Sequence, residues 1–235
     1  MLELRAVSQT FGAVEVLRDL DVKVNRGEFV ALVGPSGCGK TTILNLLGGH
    51  LSPTYGEVRR GGKTRMVFQQ DGLLPWLTAR QNIEFGVRQL KPVQRDERVN
   101  EMLDLIGLRE FSEHFPHQLS GGMRQRVELG RALASEAAIL LLDEPFGALD
   151  YLTRLRLRGE LMRLLKEFPR TVILVTHDIE EAAQLADRVL VLGERPAHIT
   201  SELRVDVPHP RDVTDPAVVN AVRRILGEMG LRGTV

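Results

Sequence analysis

The sequence is poor in the features that mark secreted, membrane-spanning and nucleic-acid-binding proteins. Cys38 is the single cysteine, so an internal disulfide is excluded, which favours a reducing compartment. No run of about 18 apolar residues suggests a membrane-spanning helix, and Met1–Arg5 lacks the pattern of a signal peptide. Lys and Arg together number 31, as do Asp and Glu. This balance lacks the basic excess of general nucleic-acid binders, so we expect no nucleic-acid partner.

The 235 residues, 43% hydrophobic and 26% charged, predict a single globular domain over 1–235. The first thirty residues alternate apolar and polar side chains, which predicts antiparallel strands with one solvent-exposed face. Three later runs are short and continuously apolar, as in a parallel sheet that is covered on both faces. These runs are Phe29–Val33, Ala138–Leu142 and Val172–Val175.

Helical periodicity replaces the strand pattern between about residues 78 and 134, which predicts an inserted helical subdomain. Residues 197–235 are expected to form a short C-terminal extension, with a β segment to Val207 and a helix over 218–229. The predicted fold is therefore α/β, with a mainly parallel sheet, an N-terminal antiparallel β-subdomain and an inserted helical subdomain.

Polar residues follow each of the three apolar runs. The first run leads into Gly34, the second into Asp143 and Glu144, and the third into Thr176, His177 and Asp178. Ligands of open α/β sheets bind beyond the carboxyl ends of the strands. We therefore expect the active site at that edge of the sheet.

Residues Gly34-Pro35-Ser36-Gly37-Cys38-Gly39-Lys40-Thr41 match the phosphate-loop pattern of a P-loop NTPase. The glycines allow backbone N–H groups to surround phosphates, and the N-terminus of the following helix, which includes Thr42, favours an anion. Lys40 is expected to reach the β- and γ-phosphates, and the Thr41 hydroxyl to bind Mg²⁺. Cys38 is interpreted as a small lining residue. The alternative is a chance glycine-rich turn, which the strand before the loop and the apolar helical pattern after it argue against.

Asp143 and Glu144 end a second apolar run and supply acidic groups for the same site. A carboxylate at a strand end can hold Mg²⁺, largely through water, which suits Asp143. Glu144 is placed to orient or deprotonate an attacking water. The alternative is an acid that caps the next helix, which Pro145 argues against. The two motifs alone leave kinases, GTPases and many ATPases open.

Residues Leu119-Ser120-Gly121-Gly122-Met123-Arg124-Gln125-Arg126 narrow this choice, because they resemble the signature motif of ATP-binding cassette (ABC) proteins. The serine hydroxyl and the glycine N–H groups at a helix N-terminus can bind phosphate. The resemblance implies that Ser120, Gly121 and Gly122 contact the γ-phosphate of ATP held by a second copy. Ser120 is also read as an ordinary helix N-cap, and capping and anion binding use the same groups.

The resemblance implies roles for further residues. Gln69 resembles the glutamine that contacts Mg²⁺ and the γ-phosphate, with Gln70 as a competitor for that role. His177 corresponds to the switch histidine, Asp150 to the loop that links the two sites of a dimer, and Phe11 to the aromatic residue that stacks on adenine. Because Glu144 and His177 are both present, the resemblance implies an active ATP hydrolase with ATP and Mg²⁺ as its cofactors.

The resemblance also implies partners. Two copies would form a homodimer around ATP and associate with membrane permease subunits at the cytoplasmic face, served by an extracytoplasmic solute-binding protein. The apolar segment 72–77 is interpreted as the permease contact, with the core of the helical subdomain as the alternative. Residues 68–76, 195–199 and 207–212 are most similar to the nitrate, sulfonate and taurine importer group. The alternative function is a soluble ABC ATPase in DNA maintenance or complex assembly.

Two further groups of residues are expected to have ordinary structural roles. His114 and His117 are interpreted as surface or capping residues, because Pro116 between them disrupts a helical metal-binding pair. Four arginines are expected to form a solvated helix face, with contact to phosphate or a partner as the alternative. They are Arg154, Arg156, Arg158 and Arg163.

Overall fold

The computed structural model describes residues 1–68 and 72–231. The strands are β1 (Leu2–Phe11), β2 (Val14–Val24), β3 (Phe29–Val33), β4 (Tyr55–Arg60), β5 (Thr64–Val67), β6 (Ile139–Asp143), β7 (Thr171–Val175), β8 (Arg188–Leu192) and β9 (Ile199–Arg204). The α-helices are α1 (Lys40–Gly48), α2 (Ala79–Phe85), α3 (Pro92–Leu105), α4 (Gly121–Ala134), α5 (Tyr151–Glu167), α6 (Ile179–Leu185) and α7 (Pro216–Glu228).

A small antiparallel sheet at the N-terminus has the strand order β2-β1-β4. Leu2 pairs with Val24 and Leu4 with Val22, and these apolar side chains are buried while intervening positions are more exposed. This alternation is the pattern of a sheet with one buried face. The predicted N-terminal antiparallel strands are confirmed, and β4 is an additional strand that pairs with the other side of β1.

The large sheet has the order β5-β6-β7-β3-β8-β9. Its first five strands in that order are mutually parallel, and β9 runs antiparallel to β8. Every residue of β3, β6 and β7 is buried, as expected for strands covered on both faces. The three apolar runs of the sequence are thus the neighbouring central strands β6, β7 and β3, and the predicted parallel sheet is confirmed.

Alternate residues of β3 face two different apolar clusters. Val30 and Leu32 pack with α1 and the small sheet, whereas Ala31 and Val33 pack with the helices on the opposite face. The second cluster includes Ile83 of α2, so the inserted helices share a core with the sheet. Burying one such aliphatic side chain contributes about 1.5–3 kcal/mol relative to exposure.

Helices α2, α3 and α4 are inserted between β5 and β6, as the sequence predicted. Thr78 begins α2 with a reciprocal cap: the Gln81 N–H donates to the Thr78 hydroxyl at 3.3 Å, and the Gln81 side chain accepts from the Thr78 N–H at 2.9 Å. The division of the chain at 78–134 and at 197 into a subdomain and an extension stays a prediction.

The C-terminal part of the chain returns to the sheet as β9 and then packs α7 against α6. The helix begins at Pro216, two residues before the predicted start, with Asp215 as its cap. Within residues 1–68 and 72–231, no helix combines the length and apolar character needed to cross a membrane.

Candidate nucleotide site

A cleft of about 660 Å³ opens at the carboxyl ends of the central strands. We call it the nucleotide cleft. It brings together residues from the loop after β3, the start of α1, and the turns that follow β6 and β7. Its lining is Ser36, Gly37, Gly39, Lys40, Thr41, Thr42, Glu144, Val175, His177 and Arg195. The two polar motifs and the histidine that the sequence singled out therefore share one cavity.

The loop from Gly34 to Gly39 has a backbone that only glycine accommodates at its end. Gly39 has φ of +122°, and a Cβ added there would lie 2.9 Å from Leu17 Cδ2 of β2. Gly39 precedes α1, which has no side-chain cap at its N-terminus. The first N–H groups of α1 can therefore donate hydrogen bonds to an anion in the cleft.

Lys40 places its ammonium group at the floor of the cleft. Its side chain is buried, and Nζ donates to the carbonyl oxygens of Gly34 and Pro35, each at 2.8 Å. Cys38 is also buried, with its Sγ 4.0 Å from the same Nζ. This agrees with its interpretation as a small packing residue in the loop.

Asp143 and Thr41 form the oxygen-rich part of the site. Burial is the largest influence on the Asp143 carboxyl and raises its pKa. A hydrogen bond from the Thr41 hydroxyl and the charge of Lys40 lower this pKa, whereas the charge of Glu144 raises it further, and the net pKa is above the usual value. A buried carboxylate with a raised pKa gains from a nearby cation, and carboxylate and hydroxyl oxygens are suitable ligands for Mg²⁺. The chemistry of this donor pair therefore fits Mg²⁺.

Glu144 is held in a sparsely populated backbone conformation beside His177. Its φ is +48°, and its N–H donates to the Val175 carbonyl at 2.9 Å. Its Oε2 lies 3.3 Å from His177 Nδ1, and the His177 side chain is 68% exposed. The alternative of a helix-capping acid is not observed, because Asp150 caps the next helix, α5.

The turn that carries His177 is anchored from behind by arginines of α5. Asp178 Oδ2 accepts from Arg158 Nη2 at 2.7 Å and from Arg154 Nη1 at 3.0 Å. Burial raises the pKa of Asp178, but a backbone hydrogen bond from Glu181 and these two arginines together hold it below its usual value.

The prediction of a solvated arginine face was therefore wrong for Arg158, which is 1% exposed. Arg154 and Arg158 are four residues apart on the inner face of α5, where they meet the turn before α6. Arg163 conforms to the prediction, since it is exposed and pairs with Glu160 at 2.9 Å.

The signature segment, which we define as Ser120, Gly121 and Gly122, does not line the nucleotide cleft. Ser120 Oγ accepts from the Met123 N–H at 3.2 Å, so its predicted role as the N-cap of α4 is confirmed. Ser120 and Gly121 are exposed. The start of α4 thus presents a hydroxyl and backbone N–H groups to the solvent.

The lining of the cleft also leaves out Phe11 and Asp150, as well as Gly34, Pro35, Cys38 and Asp143. Phe11 is half exposed at the end of β1, and Asp150 caps α5 by accepting from the Thr153 N–H at 3.0 Å. Hydrogen bonds with Thr153 lower the pKa of Asp150. Gln69 and Gln70 lie outside the described residues.

Arg195 is a cleft residue that the sequence reasoning did not single out. Its Nε donates to the Gly37 carbonyl, so the connection between β8 and β9 contacts the phosphate loop. A signal was available, because the apolar run Val189–Leu192 ends at the same sheet edge as the other three runs.

Gln125 was also missed as an individual contributor. Its Nε2 donates to the Glu144 carbonyl at 3.0 Å, and its Oε1 accepts from the Ala148 N–H at 3.1 Å. Helix α4, which contains Gln125, therefore holds the loop that follows Asp143. The sequence placed Gln125 in the signature motif but gave no indication of this partner.

The apolar segment 72–77 is partly buried and partly presented to solvent. Leu73 is buried, whereas Trp76 is 69% exposed. Asn82 holds the segment in place through three hydrogen bonds. Its Oδ1 accepts from the Leu74 N–H at 2.8 Å, and its Nδ2 donates to the carbonyls of Leu74 and Leu77 at 3.1 and 3.0 Å. The interpretation as core therefore applies to Leu73 but not to Trp76.

The two neighbouring histidines lie beside aromatic rings. His114 contacts Phe111, and His117 stacks on Phe115, with centroid distances of 5.3 and 5.9 Å. Among residues 1–68 and 72–231, no group of three or more histidine, cysteine or acidic side chains could hold a metal ion.

Comparison with known proteins identifies the family of this architecture. The ABC transporter family model matches residues 17–147. An aliphatic sulfonates import ATP-binding protein, SsuB 1, of Pseudomonas syringae pv. syringae is 42% identical over 231 residues, covering 97% of this chain and 96% of its own length. A taurine import ATP-binding protein, TauB, of Roseobacter denitrificans is 42% identical over 202 residues, covering 82% of this chain and 75% of its own.

A solved structure agrees with these relatives. The chain is similar to the ATP-binding cassette MJ0796 in a dimeric, post-hydrolysis state bound to ADP and Pi, with 33% identity and a TM-score of 0.79. That match covers 90% of this chain and all of the other. Together with the phosphate loop, the acidic strand end and the signature helix, these matches show that the chain belongs to the ABC transporter family and is an ATP hydrolase of that family.

Proposed function

We propose that this chain is the ATP-hydrolysing subunit of a membrane importer and that it acts as a homodimer. The observation that carries the proposal is the separation of two phosphate-binding elements. Lys40, Thr41 and Glu144 line the nucleotide cleft, whereas the signature segment lies outside it, with Ser120 and Gly121 exposed. A second copy, placed head to tail, would bring its signature segment over this cleft.

The proposal assigns the following roles to residues in and around the cleft. Lys40 contacts the β- and γ-phosphates, and the N–H groups of the loop and of Thr42 bind the remaining phosphate oxygens. Thr41 and Asp143 would hold Mg²⁺, with Gln69 as a further ligand. Bound Mg²⁺ supplies charge neutralisation at the phosphates.

Glu144 orients and deprotonates the attacking water, and His177, 3.3 Å away, contacts the γ-phosphate and helps to position that water. Phe11 stacks on adenine, and Asp150 links the two clefts across the dimer. Ser120, Gly121 and Gly122 of the partner copy complete the phosphate contacts. Loss of the γ-phosphate then releases the partner, so that hydrolysis reopens the dimer.

The proposed transport role rests on the relatives and on segment 72–77. SsuB and TauB are named as import proteins for aliphatic sulfonates and taurine, which favours a small organic anion of this kind, or nitrate, as the solute. Permease subunits would hold the chain at the cytoplasmic face, and an extracytoplasmic binding protein would deliver the solute. The relatives do not favour the alternative of DNA maintenance or complex assembly.

The test of the catalytic proposal is Glu144→Gln in the purified chain. The amide keeps the volume of Glu144 but cannot act as a base, so turnover should fall by about 100-fold or more while ATP affinity is retained. ATP should then convert the variant into a stable dimer in sedimentation experiments. Glu97→Gln, at an exposed position of α3, is the matched control and should behave as wild type. A Glu144→Gln chain that hydrolyses ATP normally would remove Glu144 from this role.

The permease contact is tested by Trp76→Glu in membranes that contain the assembled transporter. A charge on the exposed indole position should prevent docking, so solute uptake should be lost while ATP hydrolysis by the isolated chain is unchanged. Val93→Glu, which introduces the same charge at an exposed apolar position of α3, is the control. Uptake at the wild-type rate with Trp76→Glu would contradict the proposed docking surface.

A further inference from the structure

A buried carboxylate of α4 contacts the chain on both sides of residues 69–71. Glu128 is 1% exposed. Its Oε2 accepts from the Gly72 N–H at 2.9 Å, and its Oε1 accepts from the Phe68 N–H at 3.4 Å. Phe68 and Gly72 flank the three-residue stretch that contains Gln69. One side chain therefore bonds to the residues on both sides of that stretch.

Arg131 reinforces this arrangement one turn further along α4. Its Nη2 donates to the Gly72 carbonyl at 2.9 Å and lies 3.6 Å from Glu128 Oε1. A Cβ added to Gly72 would lie 3.3 Å from Glu128 Oε1 and 3.8 Å from Phe68 Cδ2, so the two flanking residues and Glu128 pack together. Hydrogen bonds to a buried charge are stronger than neutral ones and costly to leave unmade.

Helix α4 is also connected to the signature segment and to the loop that carries Glu144. Its N-terminus is the signature segment, and Gln125 bonds to the Glu144 carbonyl. Gln125, Glu128 and Arg131 are spaced by three residues, so they follow one another along neighbouring turns of α4. A displacement of α4 would therefore act on the loop of Glu144 and on both flanks of Gln69.

We propose that Glu128 is a positioning residue that ties Phe68 and Gly72, the neighbours of residues 69–71, to α4 and acts through them on Gln69. When the signature segment of one copy contacts the nucleotide of its partner, α4 transmits that contact to Gln69 of its own copy. Glu128 does not itself touch ATP or Mg²⁺, and it acts through Gln69. The inference rests on the proposed function, in which Gln69 and the signature segment serve different nucleotides of one dimer.

A double-mutant cycle tests this link with the full-length chain, ATP and Mg²⁺. Glu128→Ala should lower kcat by about tenfold with the KM for ATP changed by less than about twofold, because the phosphate loop is untouched. Gln69→Ala should show a comparable loss. The double variant should be no slower than Gln69→Ala alone, since residues that act through one another are not additive.

Two further variants separate positioning from a loss of folding. Glu128→Gln keeps the volume and one acceptor oxygen, so it should fold as wild type and lose about threefold in kcat. Should Glu128→Ala not fold, the cycle is run with Glu128→Gln, and the same non-additivity is expected. Glu97→Ala on α3 controls for the removal of a glutamate from the inserted helices.

The inference would be overturned if the fold-loss in kcat of the double variant equalled the product of the losses in Glu128→Ala and Gln69→Ala. It would also be overturned if folded Glu128→Ala had the wild-type kcat. The proposed function is checked separately by ATP-dependent dimerisation in the Glu144→Gln background, with and without Glu128→Ala. If Glu144→Gln alone does not form the dimer, the proposed function fails. If Glu144→Gln does form the dimer but the losses in kcat of the double-mutant cycle multiply, only the proposed role of Glu128 fails.

Discussion

The nucleotide cleft and the signature segment each offer N–H groups at a helix N-terminus, the chemistry suited to phosphate, but they differ in how complete they are. The cleft brings Lys40 and Thr41 of α1 together with Glu144, which follows β6, and His177, which follows β7. The signature segment is a single exposed helix start whose serine caps its own helix. On the proposed function, one chain therefore positions a nucleotide but does not enclose it. Enclosure is the contribution expected from the second copy.

The largest effect should come from damage to the cleft itself. Lys40→Ala removes the buried ammonium group that is expected to bind the β- and γ-phosphates, so ATP affinity should fall by about 100-fold, equivalent to about 3 kcal/mol. Binding of a fluorescent ATP analogue to the isolated chain measures this. Lys63→Ala, at an exposed position, should bind normally. Wild-type affinity in Lys40→Ala would break the assignment of the cleft.

Damage to the signature segment should reduce turnover but spare binding to a single chain. Ser120→Asp keeps a good helix cap but places a negative charge where phosphate is expected, so kcat should fall by about 10- to 100-fold. Ser120→Asn keeps the cap without the charge and should lose much less. Steady-state ATP hydrolysis compares the two variants. Equal rates for Asp and Asn would mean that the segment serves only as a cap.

The cleft is also supported from behind by a buried ion pair that the signature segment lacks. Arg158→Met retains apolar volume but leaves the Asp178 carboxylate with one arginine fewer, so unfolding free energy should fall by about 3 kcal/mol. Chemical denaturation measures this change. Arg163→Met, at an exposed position of the same helix, should leave the midpoint unchanged. A similar loss in both variants would show that α5 tolerates neither change for reasons unrelated to Asp178.

The smallest effect concerns pH and Glu181, which accepts from the Thr176 hydroxyl. Burial raises the pKa of Glu181 to about 7, with Arg158 and Thr176 opposing the rise. The folded state therefore binds more protons than the unfolded state between pH 4.5 and about 7, so stability should decline as pH rises through this range, by on the order of 2 kcal/mol. Asp178 has a lowered pKa, so its contribution is lost only in more acidic solution.

Glu181→Gln tests the sign of this dependence. The amide cannot titrate and still offers an oxygen to Thr176, so the decline between pH 5 and pH 8 should largely disappear. Denaturant unfolding at both pH values measures it. An unchanged slope in Glu181→Gln would assign the pH dependence to other groups.

Much of the fold was predictable because its signals are local. The apolar runs of β3, β6 and β7 identified the centre of the sheet, and the helical pattern identified α2 to α4 between β5 and β6. Strand β8 was not predicted, since Val189–Leu192 lies only a few residues beyond the end of α6 at Leu185 and an apolar run does not by itself distinguish a strand from a continuing helix. Strand β4, Tyr55–Arg60, is mostly exposed and forms through pairing with β1.

In the candidate site, too, local signals were predictable from the sequence and long-range contacts were not. Residues within contiguous motifs could be named from the sequence, as for Lys40, Thr41 and Glu144. The contacts of Arg195 and Arg158 could not be predicted, because the Gly37 carbonyl and Asp178 that they contact are distant along the chain. Helical spacing showed that Arg154 and Arg158 share a face but not that this face points inward.

The rate of ATP hydrolysis per chain, measured across a range of protein concentrations alongside sedimentation, tests most directly whether one chain contains only half of each reaction centre. The rate per chain should rise in step with the dimer fraction, and Ser120→Asp should stay slow at every concentration. A constant rate per chain in a range where sedimentation finds only monomer, with Ser120→Asp as fast as wild type, would contradict this expectation.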